Sequence, residues 1–468
     1  MGKGSRAAGK EAEKRGRLMD IDELRETLRR KARNQSNQQD KVKEIWKNLD
    51  SRKDLTTKEK LEKLLALSRK APLESRNQSR MEVSELASAR KDQPYLVLEN
   101  KFNLSSRYGQ IPISLGLNIP GKVLALLSRD EAFELLSLSQ ALFIDLETTG
   151  LAGGTGTVPF LVGLGYFENE AFKIIQFFLN DLAAEARMLQ EIKTLCEDKK
   201  FSSIVSYNGK GFDLPLLETR FALNRLPFPL EGLPHLDFLF SARYLWKHKY
   251  ESCRLYNLAL EHLGADRAED IPSEEIPWRY FQYLRNQDFS LVEPILYHNQ
   301  EDIMSLYGVV VAGAVLVAKS VEEDQLEADA LDLFGVGKIW ERAGEVERSV
   351  VLYERALDKK LPGEVSVKVK KNLAHHFKKS GRWEKALRLW QELVEGSEDL
   401  ECFRELAMYF EHQAKNPEEA LKYALDGLAL ARGVSPGYEE DFQRRIDRLK
   451  RKAENLKSFK EGGQKEKK

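Results

Sequence analysis

The sequence predicts two folded parts in series. The first is an α/β domain with a mixed central sheet flanked by helices; the second is an all-α solenoid of stacked helical hairpins. Three observations carry this reading. From about Tyr95 to Leu223, short β-rich stretches alternate with amphipathic helical ones, the order expected of a layered α/β domain. After about Glu322 no strand pattern remains. Within that second half three segments echo one another, with Ser349, Ala386 and Ala420 spaced by 37 and 34 residues.

A chain of 468 residues leaves room for two or three domains. With 42% hydrophobic and 9% aromatic residues it can build a core, which excludes a wholly disordered chain. The 74 Lys and Arg balance 74 Asp and Glu, so any attraction to nucleic acid must be local. Charged residues at 32% point to solvated helices or tails. Cys196, Cys253 and Cys402 lie far apart with no CxxC pair. That excludes a disulfide framework and an all-cysteine zinc site, and the expected setting is reducing and cytoplasmic. The N-terminus has no apolar core and is not read as a secretory signal. The run Ile303–Ala318 is strongly apolar but shorter than the ~20 residues a membrane span needs, and Asp302 abuts it. It is expected to be a buried core helix, with no membrane partner.

Residues 1–81 are charge-dense and expected to be loosely helical or disordered. Asp20-x-x-Glu23 and Thr56-x-x-Glu59 read as capped helix starts on either side of a polar linker. Residues 82–139 read as a β-rich lead-in subdomain, beginning with YLVLENKF. Residues 140–321 form the main α/β domain. ALFIDLET is a central strand, and FLVGLGYFENEAFKIIQFFLND is a hairpin turning near Glu168–Glu170. A helix follows at Glu185–Cys196, then a buried strand at Phe201–Tyr207 and a helix at about Asp213–Leu223. Residues 322–435 carry the repeats, whose hairpins each leave an apolar face that only a stacked neighbour can cover. Residues 436–468 read as a basic capping helix with Phe442, Ile446, Leu449, Ala453, Leu456 and Phe459 on one stripe, ending in a disordered GGQKEKK tail. Its cations leave a nucleic-acid contact open beside the capping role. Deleting 325–468 is expected to spare the α/β domain and whatever chemistry it carries, unless the two parts share a core.

Three motifs carry the chemistry. In ALFIDLETTGL, Asp145 and Glu147 are two apart on a strand, so both carboxylates face one side. They sit at its C-terminal end, where open sheets tend to bind ligands, followed by Thr148 and Thr149. In SYNGKGFDLPLL, a strand ends at Tyr207 and a turn through Asn208 and Phe212 leads to Asp213, which opens a helix; capping that helix is the alternative role. In YHNQED, His298 and Asp302 are four apart and share a helical face. Together the four acids suit two Mg²⁺ or Mn²⁺ ions, which need hard oxygen ligands. His298 suits the role of orienting or deprotonating a water. Asp237 reads as a structural or supporting acid, and Lys210 and Arg243 as phosphate contacts. AGGTGT at Ala152–Thr157 offers backbone N–H groups but lacks the GK[ST] of a nucleotide-binding loop.

The series DLETTGL, NGKGFD and HNQED resembles the three exonuclease motifs of the DEDD superfamily, whose fold is ribonuclease H-like. ETTGLAGGTGTVPFLVGLG and YHNQEDIMSL more closely resemble the YprB-type ribonuclease H-like family, whose members are often joined to C-terminal tetratricopeptide repeats, as here. The resemblance covers residues 95–320 well, the repeats loosely and the first 80 hardly at all. It implies metal-dependent phosphodiester hydrolysis of DNA or RNA, 3′→5′ and exonucleolytic. By the same likeness the metal ligands are Asp145, Glu147, Asp213 and Asp302, with His298 as the catalytic imidazole. Thr148, Thr149, Asn208 and Phe212 are the candidate substrate contacts, and the repeats would recruit a protein partner. One departure stands out: the superfamily has His five residues before its last Asp or Tyr four before, whereas here Tyr297 is five before Asp302 and His298 four before. Tyr297 is therefore the alternative water-positioning group. A nucleic-acid-binding scaffold without activity, or an endonuclease on the same fold, are the competing readings.

Overall fold

A computed structural model describes residues 93–150, 156–265, 267, 270–321, 327–396 and 399–465, with side chains to 452. The described residues fall in one compact unit. The expectations for 1–81 and for Ala453, Leu456 and Phe459 lie outside what is described.

The strands are β1 (Tyr95–Asn103), β2 (Arg107–Tyr108), β3 (Ile111–Pro112), β4 (Ala141–Thr148), β5 (Pro159–Glu168), β6 (Ala171–Leu179), β7 (Ser203–Ser206) and β8 (His235–Asp237). Six of them form one sheet in the order β1-β6-β5-β4-β7-β8. The β1–β6–β5–β4 half is antiparallel, while β4, β7 and β8 run parallel. Their shared direction brings the C-terminal ends of β4, β7 and β8 to one edge. β4 is buried on both faces, which is why ALFIDLET reads as a nearly continuous apolar run broken only by its two acids. Of the expected β-rich subdomain at 82–139, the described residues 93–139 do not form a separate unit. β1 pairs along its whole length with β6 and becomes an edge of the main sheet, because its buried Leu96 and Leu98 need the same core. Residues 104–139 form a short two-stranded ribbon and helical turns around α1 (Gly121–Ser128).

Helices α2 (Glu185–Lys199), α3 (Asp213–Leu223), α4 (Phe238–Trp246), α5 (Leu255–Glu261) and α6 (Ile276–Asn286) flank the sheet. The long α7 (Glu293–Val321) crosses one face. It is apolar and long enough to span a bilayer by length and composition, yet the side chains of Ile303, Val309, Val310, Ala314 and Val317 are buried within the protein.

Three helical hairpins follow: α8 (Ala330–Arg342) with α9 (Val346–Asp358), α10 (Gly363–Lys379) with α11 (Trp383–Gly396), and α12 (Leu400–His412) with α13 (Pro417–Ala431). Ser349, Ala386 and Ala420 are fully buried, as helices packed this closely require. The last helix, α14 (Pro436–Lys465), buries Phe442, Ile446 and Leu449 against the final hairpin. Its helical backbone reaches Lys465, so a disordered tail does not begin at Gly462. Arg445, Arg448 and Lys452 turn inward to the buried Glu411, at 3.0, 2.8 and 2.7 Å. These cations neutralise a carboxylate of the solenoid and act as part of the cap. One hydrophobic cluster runs from Phe143 and Trp246 through Val310 to Leu333, Phe334 and Trp340 of the first repeat. The α/β domain and the solenoid thus share a core.

Candidate active site

Asp145 and Glu147 project from the same face of β4, with Leu146 between them buried on the other. The β4–β5 register shifts between Glu147 and Thr148, an irregularity of the kind that re-aims side chains next to a site. α7 closes over this face because Gly163, paired with Asp145 across β4 and β5, has no side chain. A Cβ there would stand 2.2 Å from Asn299 Oδ1 and 2.6 Å from Ile303 Cδ1. The Gly163→Ala variant is therefore expected to lose about 1–3 kcal/mol, as overpacked cores do. In a urea titration the midpoint should fall with an unchanged slope.

α7 supplies the third group. His298 Nε2 lies 3.7 Å from Glu147 Oε1 and 3.4 Å from Asp302 Oδ2. Ligand atoms of Glu147, His298 and Asp302 all fall within 4.8 Å of one another. Asp213 is the first residue of α3, entered from the loop after β7, and its charge bears on both Asp145 and Glu147.

The electrostatics are those of too many acids in too little water. Burial raises the Asp145 carboxyl well above its ordinary range, and repulsion from Asp302, Glu147 and Asp213 adds to it. Burial pushes Glu147 up to about 8, against the pull of His298 and with the repulsion of Asp302 and Asp213. Burial and the neighbouring Asp237 push Asp213 up to about 7. Burial alone would lower His298, but Asp302, Asp270 and Glu147 overrule it and hold the imidazole at about 10. Carboxylates clustered at this cost, with hard oxygens facing one space, fit a divalent cation.

A supporting layer holds these groups, and none of its members stood out in the sequence. Asp270 Oδ1 lies 2.5 Å from His298 Nδ1, which leaves Nε2 turned to the acids. Arg267, fully buried, pairs with Asp270 and reaches Asp302 Oδ1 at 2.6 Å. The Asn299 amide donates to Asp145 Oδ2 at 2.8 Å and accepts from Gln176 at 2.8 Å, fixing the orientation of that carboxylate. In the sequence, Asp270 and Arg267 sit in a mixed-charge loop with no distinctive spacing. Asn299 was inside the third motif, but its role depends on a strand far away in the chain.

The candidate substrate contacts are mostly engaged locally. The Thr148 hydroxyl donates to Gly150 O at 2.8 Å, and Thr149 Oγ1 accepts from Val158 N at 3.0 Å, so both brace the β4–β5 connection. Asn208 is exposed in the left-handed region at φ 69°, with its N–H donated to Asp237. Phe212 is half-buried just ahead of Asp213. Asp237 also accepts from Lys210 N and Leu239 N. It caps α4 and pins the loop that leads to Asp213. The AGGTGT segment lies largely outside the described residues.

Residues 142–312 match the family described as the RNase_H superfamily, and residues 331–439 match that described as the Tetratrico peptide repeat. A protein of Bacillus subtilis (strain 168), bearing the name Uncharacterized protein YprB, is 32% identical over 315 residues. The match covers 66% of this chain and 74% of that protein.

Proposed function

The chain belongs to the YprB family, with a ribonuclease H-superfamily domain and tetratricopeptide repeats, and from that premise we propose that it is a metal-dependent 3′→5′ exonuclease acting on DNA or RNA. The observation that carries the proposal is the meeting of Glu147, His298 and Asp302, with Asp145 and Asp213 close by, at the C-terminal edge of the sheet. The superfamily suggests nuclease chemistry; the exonucleolytic mode and its polarity rest on the likeness of the three motifs.

Asp145, Glu147, Asp213 and Asp302 would hold two Mg²⁺ or Mn²⁺ ions, which when bound supply Lewis-acid stabilisation of charge on the phosphoryl oxygens. Asp270 accepts from Nδ1 of His298 and so fixes the ring with Nε2 facing the site. The carboxylates hold a proton on that ring in the free protein. Once their charge is neutralised, Nε2 becomes the acceptor for the proton of an attacking water. His298 takes this role over Tyr297 because its ring nitrogen faces Glu147 and Asp302 directly. Asn299 keeps Asp145 from rotating away. The repeats we assign to a protein partner and, from the three scattered cysteines, the protein to the cytoplasm.

A 5′-labelled strand carrying a block at its 3′ terminus tests the polarity. Stalling at the block is expected, whereas internal fragments would mean an endonuclease. Asp270 can be tested separately. Asp270→Asn is expected to lower kcat about 10- to 100-fold, the range seen when partners of reactive groups are removed, with little change in KM. Asp270→Glu should restore part of the loss. Equal losses in the Asn and Glu variants would reduce Asp270 to a fold contact.

A further inference from the structure

Helix α4 starts beside the candidate active site at Asp237, which holds the loop before Asp213, and ends against the first repeat. Phe240, Arg243, Tyr244 and Lys247 stand at positions i, i+3, i+4 and i+7 and form one stripe along it, roughly 10 Å long. All four are exposed, Phe240 by 53% and Tyr244 by 39%. The stripe continues onto the solenoid. Lys338 Nζ of α8 lies 5.8 Å from the centre of the Tyr244 ring and 4.9 Å from that of Phe334, and the Arg342 guanidinium stands 4.6 Å from Tyr244.

These cations differ from others nearby. Lys249 is paired with Asp329 and Asp332, and Lys370 with Glu392. Among the described residues, Arg243, Lys247, Lys338 and Lys368 of α10 make no ion pair. Of the two acids on the same helix as Lys338, Asp332 is taken by Lys249 and Glu341 by Tyr353 and His376. Burial, joined by Lys247 and Lys368, pushes Lys338 down to about 8. The charge is positive, outside any ion pair among the described residues, and interleaved with exposed aromatic rings. Rings of this kind stack on bases, and such cations take phosphates.

Resting on the nuclease reading, we propose that α4 and the adjoining faces of α8 and α10 are the track on which single-stranded nucleic acid runs from the active site onto the repeats. Phe240 and Tyr244 stack on bases; Arg243, Lys247, Lys338 and Lys368 contact phosphates. Stacking and phosphate contact are common to DNA and RNA, so both strands are used in the test.

The experiment measures anisotropy of fluorescein-labelled 20-nucleotide single-stranded DNA and RNA on the full-length protein in EDTA, across a salt series. Phe240→Ala/Tyr244→Ala is expected to weaken binding on the order of a hundredfold, about tenfold per ring. Arg243→Gln/Lys247→Gln is expected to flatten the slope of log K against log salt by about 0.7 per removed cation. These positions are exposed, and circular dichroism verifies that each variant is folded. Unchanged affinity and slope in both variants, while the wild-type protein cleaves, would overturn the track, leave the nuclease reading intact and assign the stripe to an acidic protein partner. Weakened binding in the variants of a wild-type protein that cleaves nothing would support the track and sink the nuclease reading.

Discussion

The Asp213→Asn protein is expected to lose phosphodiester cleavage by on the order of a thousandfold or more, about 4 kcal/mol of transition-state stabilisation. Asp213 opens α3 at the end of a pinned loop, and its charge reaches both acids of β4. Amide for carboxylate keeps the shape and removes a hard anionic ligand. Its effect on the fold should run the other way. Burial and Asp237 disfavour the ionised Asp213, so without metal the variant should melt at the wild-type temperature or above it. Added Mn²⁺ should raise the wild-type Tm and raise the variant's less, since a ligand stabilises only the state that binds it. A variant that cleaves at the wild-type rate would remove Asp213 from the site.

Removal of residues 325–468 is expected to cost the α/β domain its soluble fold. The two parts are separable only without a common core, and they share one. Leu333, Phe334, Val336 and Trp340 of α8 are buried, and α8 packs against α4, where Gly335 meets the backbone of Leu245. Exposing Leu333, Phe334, Val336 and their partners forfeits about 1.5–3 kcal/mol for each side chain, against a total stability of about 5–15 kcal/mol for an ordinary domain. Arg342 also ties α8 to the carbonyls of Leu126 and Leu127. A milder probe is Gly335→Val, whose Cβ would stand 2.1 Å from Leu245 O. It should lower the Tm of the whole protein in a single transition. Two transitions, with only the second half destabilised, would show that the parts fold independently.

What could be read in the sequence follows from what is local. The pair Asp145 and Glu147 is legible because a strand alternates faces and two acids interrupt an otherwise apolar run. Asp213 is legible as the acid that opens a helix after a turn, and His298 with Asp302 from the spacing of one helical turn. The layered sheet and the repeats follow from hydrophobic period and internal echo. Asp270 and Arg267 were not legible, since their meaning comes from α7 packing over a loop nearly 30 residues upstream in the chain. Asn299 needed Gly163 and Gln176 to explain it. β1 looked like the start of a separate region because strand partners are not encoded in the strand itself. The shared core was hidden for a similar reason: the apolar stripe of α8 looks the same whether it faces another repeat or α4.

The most direct measurement is cleavage of 5′-labelled single- and double-stranded DNA and RNA by the wild-type protein in Mg²⁺, Mn²⁺ or EDTA. The expected result is a ladder of strands shortened one nucleotide at a time from the 3′ end, dependent on metal and abolished by EDTA. Intact substrates in both metals, with the oligonucleotides still bound, would contradict it and leave a nucleic-acid-binding scaffold in its place.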